Sequence, residues 1–389
     1  MKNEKSKYKS CSRCIYDERV DQIRFDENGV CNYCHQIDQL IQQYGTGKEK
    51  GQNDFNTIVD EIKSAGRNKK YDVVLGVSGG TDSSFLLYLS KKIGLRPLAV
   101  HYDNTWNTSI ATENIQKITK ALNIDLYTHV VDNKEADDIF KAFISAGVSE
   151  IDASTDLALA ETMYRAASKF NVKYIFEGHS FIEEGITPLG KNYFDGKYIR
   201  EIHKKYGELP MKTYPLMTFS RFIYWTIFKR IKKIRPFWYI NYSKQEAQGF
   251  LKKEFDWKYY GGHHLENRMT AFCHSFYFPN KCNVDYRNNT LAAQVRNNKK
   301  TQKIAWEEYN TPPYLEKNLL DYFKKRLSFS DKEFEHIMSQ PLRYWYEFPT
   351  YKKRFERLKS LFFILAKSNL VPMSFYLKYC FPINEEEQK

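Results

Sequence analysis

A strand–loop–helix pattern between residues 71 and 93 limits the folds open to this chain. Residues 71–77 are mostly apolar and rich in β-formers, and an apolar helical pattern runs from Phe85 to about Ile93. Between them lies the string Ser-Gly-Gly-Thr-Asp-Ser at 78–83. Glycines let the backbone approach a phosphate, the N–H groups point at it, and the dipole of the following helix favours negative charge. The pattern therefore predicts an anion-binding loop at the end of a strand.

The loop differs from two common nucleotide-binding motifs. It lacks the Gly-Lys-Ser/Thr of a Walker A loop and the G-x-G-x-x-G of dinucleotide sites. It resembles instead the pyrophosphatase loop (PP-loop) of the ATP-pyrophosphatase superfamily, whose enzymes cleave ATP to AMP and pyrophosphate. The resemblance implies that Asp82 helps to hold Mg²⁺, and that pyrophosphate is cradled by Ser78, Gly79, Gly80, Thr81 and Ser83. An ordinary glycine turn between a strand and a helix is the alternative.

Strand and helix patterns alternate from residue 71 to about residue 178. Strands are expected at 72–77, 97–102, 125–131 and 172–177, and helices at 83–93, 109–122, 134–145 and 156–170. Such alternation predicts an α/β fold with a doubly wound parallel sheet. Ligands bind beyond the carboxyl ends of these strands, so the loops there should meet at one mouth. The loops are 78–83, 101–106, 151–156 and 177–180.

Four cysteines near the N-terminus have metal-ligand spacing. Cys11, Cys14, Cys31 and Cys34 form C-x2-C-x16-C-x2-C. In a cytosolic chain this spacing predicts a tetrahedral zinc site with four cysteine ligands. Four protein ligands leave the metal no open position, so we expect a structural Zn²⁺. Two disulfides are the alternative, and they suit a reducing compartment poorly.

A more specific resemblance covers roughly residues 8–290. It is carried by the strings His-Tyr-Asp-Asn-Thr-Trp-Asn at 101–107, Ser-Thr-Asp at 154–156, Glu-Gly-His at 177–179, Glu-Gly-Ile-Thr-Pro at 184–188 and Trp-Lys-Tyr-Tyr-Gly-Gly-His-His-Leu-Glu at 257–266. With the four-cysteine element, these resemble the N-acetyl sugar amidotransferase family, which makes acetamidino sugars for bacterial O-antigen and flagellar glycans. The resemblance implies an adenine-nucleotide alpha-hydrolase-like fold and a place in lipopolysaccharide biosynthesis. One departure at 281–292, where Asp285 and Arg287 remain without a further basic residue and a His, leaves the acceptor sugar open.

The resemblance also implies a reaction. The acetamido oxygen of a nucleotide-activated sugar would attack the α-phosphate of ATP, and ammonia would then displace AMP to leave an acetamidine. Asp103 would be a second nucleotide- or metal-proximal acid beside Asp82, with His101 in the nucleotide site. His179 and Glu184 would orient the acetamido group or take a proton from ammonium. The alternatives are structural: Asp103 could cap the next helix or hold a turn, and the other two could be solvated loop residues.

The ammonia source and the competing functions follow from what the sequence lacks. No cysteine lies in a G-x-C-x-G nucleophile elbow, so we expect a separate glutaminase subunit. The main alternative is a tRNA-modifying PP-loop enzyme, either a thiolase or a lysidine-type ligase, although no C-x-x-C exists outside 11–34. A third hypothesis is a non-catalytic subunit that binds nucleotide and scaffolds a glycan-synthesis complex.

Charge and hydropathy bear on partners and location. The net charge is +13, and residues 201–389 hold 34 basic and 19 acidic side chains. That half should meet an anion such as a nucleotide-linked sugar, RNA or a membrane surface, unless it is simply a solvated face. We favour the sugar over nucleic acid. Apolar runs are too short for a membrane span and the N-terminus is too polar for a signal peptide. A cytoplasmic protein is expected, with peripheral membrane contact left open.

Three regions are predicted: a four-cysteine zinc element with a linker (1–50), a PP-loop ATP-binding domain (51–200) and a basic, mainly helical region that binds the acceptor or a partner (201–389). Within the last, aromatic and cationic residues at 220–235 suggest a helix that is either amphipathic or buried with solvated lysines. The segment 257–266 is predicted to be a loop contacting sugar or nucleotide. A second metal held by His263, His264 and Glu266 is the alternative there.

Overall fold

The computed structural model describes residues 8–186, 193–262, 265–368, 370–371, 375–376 and 379–380. The strands are β1 (Val73–Gly76), β2 (Pro97–Asp103), β3 (Leu126–Val130), β4 (Tyr174–Phe176) and β5 (Lys232–Ile234). The helices of the first half are α1 (Asn32–Tyr44), α2 (Glu49–Ala65), α3 (Thr81–Lys92), α4 (Ser109–Ala121), α5 (Asn133–Ala146), α6 (Ala153–Lys169), α7 (Phe181–Glu184) and α8 (Gly196–Tyr206). Those of the second half are α9 (Phe219–Ile223), α10 (Lys244–Phe255), α11 (Arg268–Phe272), α12 (Arg287–Arg296), α13 (Gln302–Tyr309), α14 (Leu319–Arg326), α15 (Asp331–Ser339), α16 (Lys352–Arg357) and α17 (Lys359–Lys367). Two π-helical segments, Tyr224–Phe228 and Cys273–Cys282, continue α9 and α11.

The five strands form one parallel sheet in the order β3-β2-β1-β4-β5. The chain moves outward in one direction from β1 through β2 to β3, and in the other from β4 to β5. This is the doubly wound order, and its switch point lies between β1 and β4. The predicted α/β class is confirmed, and the loop after β1 begins at the switch point.

Helices cover both faces of the sheet, which explains why β1 is apolar without alternation. Val73 and Leu75 lie in a core with residues of α2, α3, α4 and α10. Val74 faces the opposite side, where Met163 and Tyr164 of α6 and Trp225 pack against it.

The remaining helices form further cores beside the sheet. The largest surrounds the fully buried Trp106 and includes residues of α5, α8, α11 and α14. The cysteine element packs on α12 and α13 through Leu291, Val295 and Ala305. The mainly helical C-terminal region and the N-terminal four-cysteine cluster are therefore confirmed.

Two local expectations were wrong. The helix predicted over 220–235 ends at Phe228, and Lys232–Ile234 instead form β5 beside β4. A three-residue strand containing two lysines has no period to detect; backbone pairing with β4 and the Lys233–Glu177 ion pair define it. The linker expected to run to residue 50 is also shorter, because α2 begins at Glu49. Because β5 follows residue 200, the sheet extends past the proposed domain boundary, and the three-region division stays a prediction.

No helix in the described part of the chain is both long enough and apolar enough to cross a bilayer.

Candidate active site and metal centre

The loop after β1 has a backbone that requires glycine. Gly79 has a φ of +81°, and a Cβ atom there would lie 2.2 Å from the carbonyl oxygen of Ala111. The Gly80 N–H donates to Ser78 Oγ (3.2 Å), and α3 begins at the next residue. Short side chains and a helix N-terminus thus surround the bend, as an anion site requires.

A distant segment holds this loop in place. Trp257 Nε1 and Asn114 Nδ2 both donate to the Gly79 carbonyl, at 3.0 and 3.2 Å. Asn114 is in turn fixed by the backbone of Lys258, whose N–H donates to Asn114 Oδ1 at 2.8 Å. The segment 257–262 is a loop, as predicted, and it lies directly against the loop after β1.

Asp82 stands at the start of α3 and is engaged by two groups from the α10 region. Tyr242 Oη donates to its Oδ1 at 2.5 Å, and Lys244 Nζ lies 2.7 Å from its Oδ2. Lys244 also lies 3.4 Å from Glu184 Oε1, so two carboxylates share one ammonium group. Desolvation alone would lower the pKa of Lys244, but the charges of Asp82 and Glu184 outweigh it and raise that pKa.

His179 lies beside Glu184 and the indole ring of Trp238. Trp238 Nε1 donates to His179 Nδ1 at 3.2 Å. Because indole N–H is only a donor, Nδ1 accepts and the neutral ring carries its proton on Nε2, which lies 3.7 Å from Glu184 Oε2. Desolvation, together with the charge of Arg235, lowers the pKa of His179 to about 4. The ring is therefore neutral near pH 7.

Glu177, directly after β4, positions the segment that leads to His179. Its carboxylate pairs with Lys233 (2.5 Å) and Arg235 (3.0 Å) on the β5 side. Desolvation raises the pKa of Glu177, but these two cations outweigh it and lower the pKa to about 2. The residue ties the end of β4 to β5 and so positions the segment that carries His179.

The loops at the carboxyl ends of the strands, which were predicted to meet, differ in how many contacts they make with one another. Gly178 lies against Asp82, with 3.3 Å between its Cβ position and the Asp82 Cβ. The buried His101 is linked to the loop after β1 through the Val77 carbonyl (Nδ1, 2.9 Å) and to Asn107 (Nε2, 3.1 Å). Asp103 accepts the Thr105 N–H at 2.7 Å and so closes a turn.

The cap of α4 is Thr108 rather than Asp103. The 151–156 segment lies at the start of α6, where Ile151 and Ser154 are buried. The structure therefore brings Asp82, His179 and Glu184 together, whereas His101 contacts the Val77 carbonyl and Asn107, and Asp103 closes a turn within its own loop.

The sequence did not point to Lys244 or Trp238. The Ser243 cap was predictable and is present, with its Oγ accepting the Glu246 N–H at 3.5 Å. It places Lys244 at the first helical position, but nothing local shows that the ammonium group reaches Asp82. Only the packing of α10 on α3 makes that contact.

The four N-terminal cysteines form one buried cluster. Their Sγ atoms all lie within 4.8 Å of one another, with Cys11–Cys34 at 3.9 Å and Cys14–Cys31 at 3.8 Å. A disulfide would need about 2.05 Å, and all four thiols are free. Tetrahedral bonds of about 2.3 Å to zinc place sulfurs roughly 3.8 Å apart, so the donor set fits a structural metal ion. The disulfide alternative does not fit.

Two other metal sites were predicted, one for Mg²⁺ at Asp82 and, as the alternative for 257–266, one at His263, His264 and Glu266. The structure describes the residues of the first but only part of the second. Asp82 and Glu184 already hold one cation between them, and Mg²⁺ is commonly bound by one or two carboxylates plus substrate phosphates. Asp82 therefore fits Mg²⁺ together with substrate phosphates if Lys244 moves to a phosphate. His263 and His264 lie outside the described residues, and the carbonyl of Glu266 accepts the Thr108 N–H at 2.9 Å.

The C-terminal region is similar to a known protein family. Residues 266–361 match the family model described as "LPS biosynthesis protein WbpG-like, C-terminal domain". We call residues 266–361, which are similar to that domain, the WbpG-like domain. A curated relative, an uncharacterized protein of Methanocaldococcus jannaschii, is 30% identical over 171 residues. The match covers 43% of this chain and 58% of that protein, so the chain spans less than two thirds of its relative's length.

Solved structures similar to this chain are distant. One is the NH3-dependent NAD synthetase from Campylobacter jejuni, with a TM-score of 0.28, 15% identity and coverage of 68% of this chain and 99% of that one. Another is the U34-tRNA thiolase NcsA from Methanococcus maripaludis, with a TM-score of 0.32, 12% identity and coverage of 83% and 89%. The α/β fold of this chain is defined by its own strand order and not by these likenesses.

Proposed function

We propose that this chain is an ATP-dependent amidotransferase that converts an acetamido group of a nucleotide-activated sugar into an acetamidino group. The observation that carries the proposal is the contact of Lys244 with both Asp82 and Glu184, beside the glycine bend. The match of residues 266–361 to a lipopolysaccharide biosynthesis family supports a glycan precursor as substrate.

In the first step the acetamido oxygen attacks the α-phosphorus of ATP. An O–P bond forms, and pyrophosphate leaves with the electrons of the broken P–O bond. The N–H groups of the loop and the N-terminus of α3 bind the departing pyrophosphate. Mg²⁺, held by Asp82, would neutralise part of the developing charge.

Lys244 links Asp82, assigned to the nucleotide, with Glu184, assigned to the acceptor. Its ammonium group has no covalent chemistry to perform; it is a point charge on a flexible stem. We infer that it exchanges its contacts with both Asp82 and Glu184 for a phosphate oxygen when ATP and the metal ion bind. Glu184 then loses a charge partner and becomes the better proton acceptor.

In the second step ammonia attacks the adenylylated imidate carbon. A C–N bond forms, the nitrogen loses a proton, and AMP leaves with the electrons of the C–O bond. Glu184 is the proton acceptor, because the free lone pair of neutral His179 is occupied by Trp238. The Nε2–H of His179 orients Glu184 or the acceptor. Ammonia comes from a separate glutaminase subunit in this proposal.

The test is pyrophosphate release by the purified chain with ATP, Mg²⁺ and ammonium chloride. UDP-N-acetyl sugars are compared with bulk tRNA as the second substrate, and products are examined by mass spectrometry for replacement of the acetamido oxygen by NH. Release that requires the sugar supports the proposal. Release stimulated by tRNA alone would favour a tRNA-modifying enzyme, and nucleotide binding without release under any condition would favour a scaffold subunit.

A further inference from the structure

A buried arginine beside the cysteine cluster lies in an unusual charge environment. Arg296, the last residue of α12, is only 8% exposed. Its Nε donates to Cys34 Sγ at 3.4 Å, and its guanidinium lies 5.9 Å from the centre of the Tyr16 ring. Its Nη1 atom is buried without a hydrogen-bond partner, and no described carboxylate lies within ion-pair distance.

The buried positive charge of Arg296 requires a negatively charged group close by. A buried cation is strongly destabilising unless an opposite charge lies nearby. Four neutral thiols would supply none. Zinc bound by four thiolates carries a net charge of about −2, and thiolate sulfurs accept hydrogen bonds from such outer partners.

Neighbouring contacts extend from the cluster into the WbpG-like domain. Gln302 Nε2 donates to the carbonyls of both Cys11 and Cys14, at 2.9 and 3.0 Å. Tyr16 Oη donates to Asn289 Oδ1 at 2.8 Å. Asn289, Arg296 and Gln302 all lie within residues 266–361, so the N-terminal element and this domain meet at the metal ligands themselves.

The end of α12 also contacts α7, which leads to Glu184. Asn297 Nδ2 donates to the Ile182 carbonyl at 2.6 Å, and Lys299 pairs with Glu183. Ile182 and Glu183 belong to α7, which ends at Glu184. A change at the cluster therefore has a short path to the residue assigned as proton acceptor.

We propose that Arg296 is the outer-sphere counter-charge of a metal–tetrathiolate centre, and that this contact locks the cysteine element onto the WbpG-like domain. The proposal does not depend on the reaction assigned above. It concerns how the metal is held and what the metal holds together.

The test is metal retention in the full-length chain. For Arg296→Gln we expect zinc release to a chromogenic chelator to be roughly tenfold faster or more, as for other outer-shell partners. The cobalt-substituted variant should keep the absorption spectrum of tetrahedral thiolate coordination, because all four ligands remain. The rate of zinc release from Arg296→Lys should lie between the rates of Arg296→Gln and the wild type.

Arg13→Gln is the matched control. Arg13 also lies beside the cluster, but its side chain is 40% exposed and its charge is balanced by Asp38, 2.8 Å away. Its release rate should equal that of the wild type. Equal rates for Arg296→Gln and the wild type, or equal acceleration in both glutamine variants, would overturn the proposal.

A second measurement covers the case in which Arg296→Gln does not fold. Zinc is stripped from the wild-type chain, and hydrogen exchange is followed in 8–44 and 287–302. The proposal expects protection to fall in both segments together. Unchanged protection of 287–302 would overturn the lock.

Discussion

At the scale of single residues, Asp82 is defined by what surrounds it more than by its place in a motif. Tyr242 and Lys244 occupy both carboxylate oxygens. A carboxylate held in this way is oriented before any ligand arrives. Such a carboxylate could hold Mg²⁺ at a fixed position, where the metal ion would stabilise the charge developing on pyrophosphate.

Asp82→Ala tests this role. Pyrophosphate release should fall by about 100-fold or more, while the fold persists because Lys244 keeps Glu184 as a partner. The control is Asp256→Asn, which removes an 86% exposed carboxylate from its pair with Lys117 and should leave release unchanged. Release by Asp82→Ala at the wild-type rate would remove this carboxylate from the mechanism.

The His179 ring gives a pH prediction with a defined sign. Its folded pKa of about 4 lies below the ordinary value of 6.5, so the folded state binds its proton less readily than the unfolded chain. The associated stability is present above pH 6.5 and is lost as the pH falls towards 4. An NMR titration should place the midpoint near 4, and Arg235→Gln should raise it. A midpoint at 6.5 would contradict the described environment.

At the scale of elements, the loop after β1 works together with 257–262. Trp257 and Asn114 hold the Gly79 carbonyl from outside, so the bend is rigid before ligand binds. The contact explains why a segment without helix or strand lies in the core: Trp257 is 2% exposed.

Two glycine variants separate this geometry from a general effect of adding a methyl group. Gly79→Ala places a Cβ atom 2.2 Å from the Ala111 carbonyl at positive φ, so ATP affinity measured by calorimetry should drop at least tenfold. Gly249→Ala, in α10, meets nothing within 4 Å. It should leave ATP affinity unchanged and raise the free energy of unfolding by about 0.5–1 kcal/mol. Equal ATP binding by both variants would show that the bend does not contact the nucleotide.

At the scale of the whole molecule, the remaining thiols bear on where ammonia comes from. Apart from the cluster, the cysteines are Cys273, Cys282 and Cys380. Burial raises the pKa of Cys273 well above its ordinary value, that of Cys282 to about 12 and that of Cys380 to about 11. A glutaminase nucleophile must be a thiolate near neutral pH, and these three are held as thiols.

The purified chain should accordingly use ammonium and not glutamine. Turnover with ammonium chloride is expected to rise with pH towards the pKa of ammonium, because ammonia is the nucleophile. Glutamine alone should give only background release. Full turnover with glutamine, measured as glutamate formed per AMP, would contradict the prediction of a separate glutaminase subunit.

What could be predicted from sequence alone was local and periodic. The alternation of apolar strands and amphipathic helices predicted the α/β class, and the spacing of Cys11 to Cys34 predicted the cluster. The glycine-containing string at 78–83 predicted a tight loop at the end of β1. These signals are encoded within a few residues, where propensity and side-chain period act directly.

The tertiary structure decided what no short window contains. β5 forms because its backbone pairs with the edge of β4. Lys244 contacts Asp82 because α10 packs on α3. Arg296 contacts Cys34, although the two are 262 positions apart in the sequence. Each is a pairing of polar groups that are stable only in each other's presence. A buried charge gains its partner only when the fold brings the two together, and for that reason the sequence by itself could not reveal these pairs.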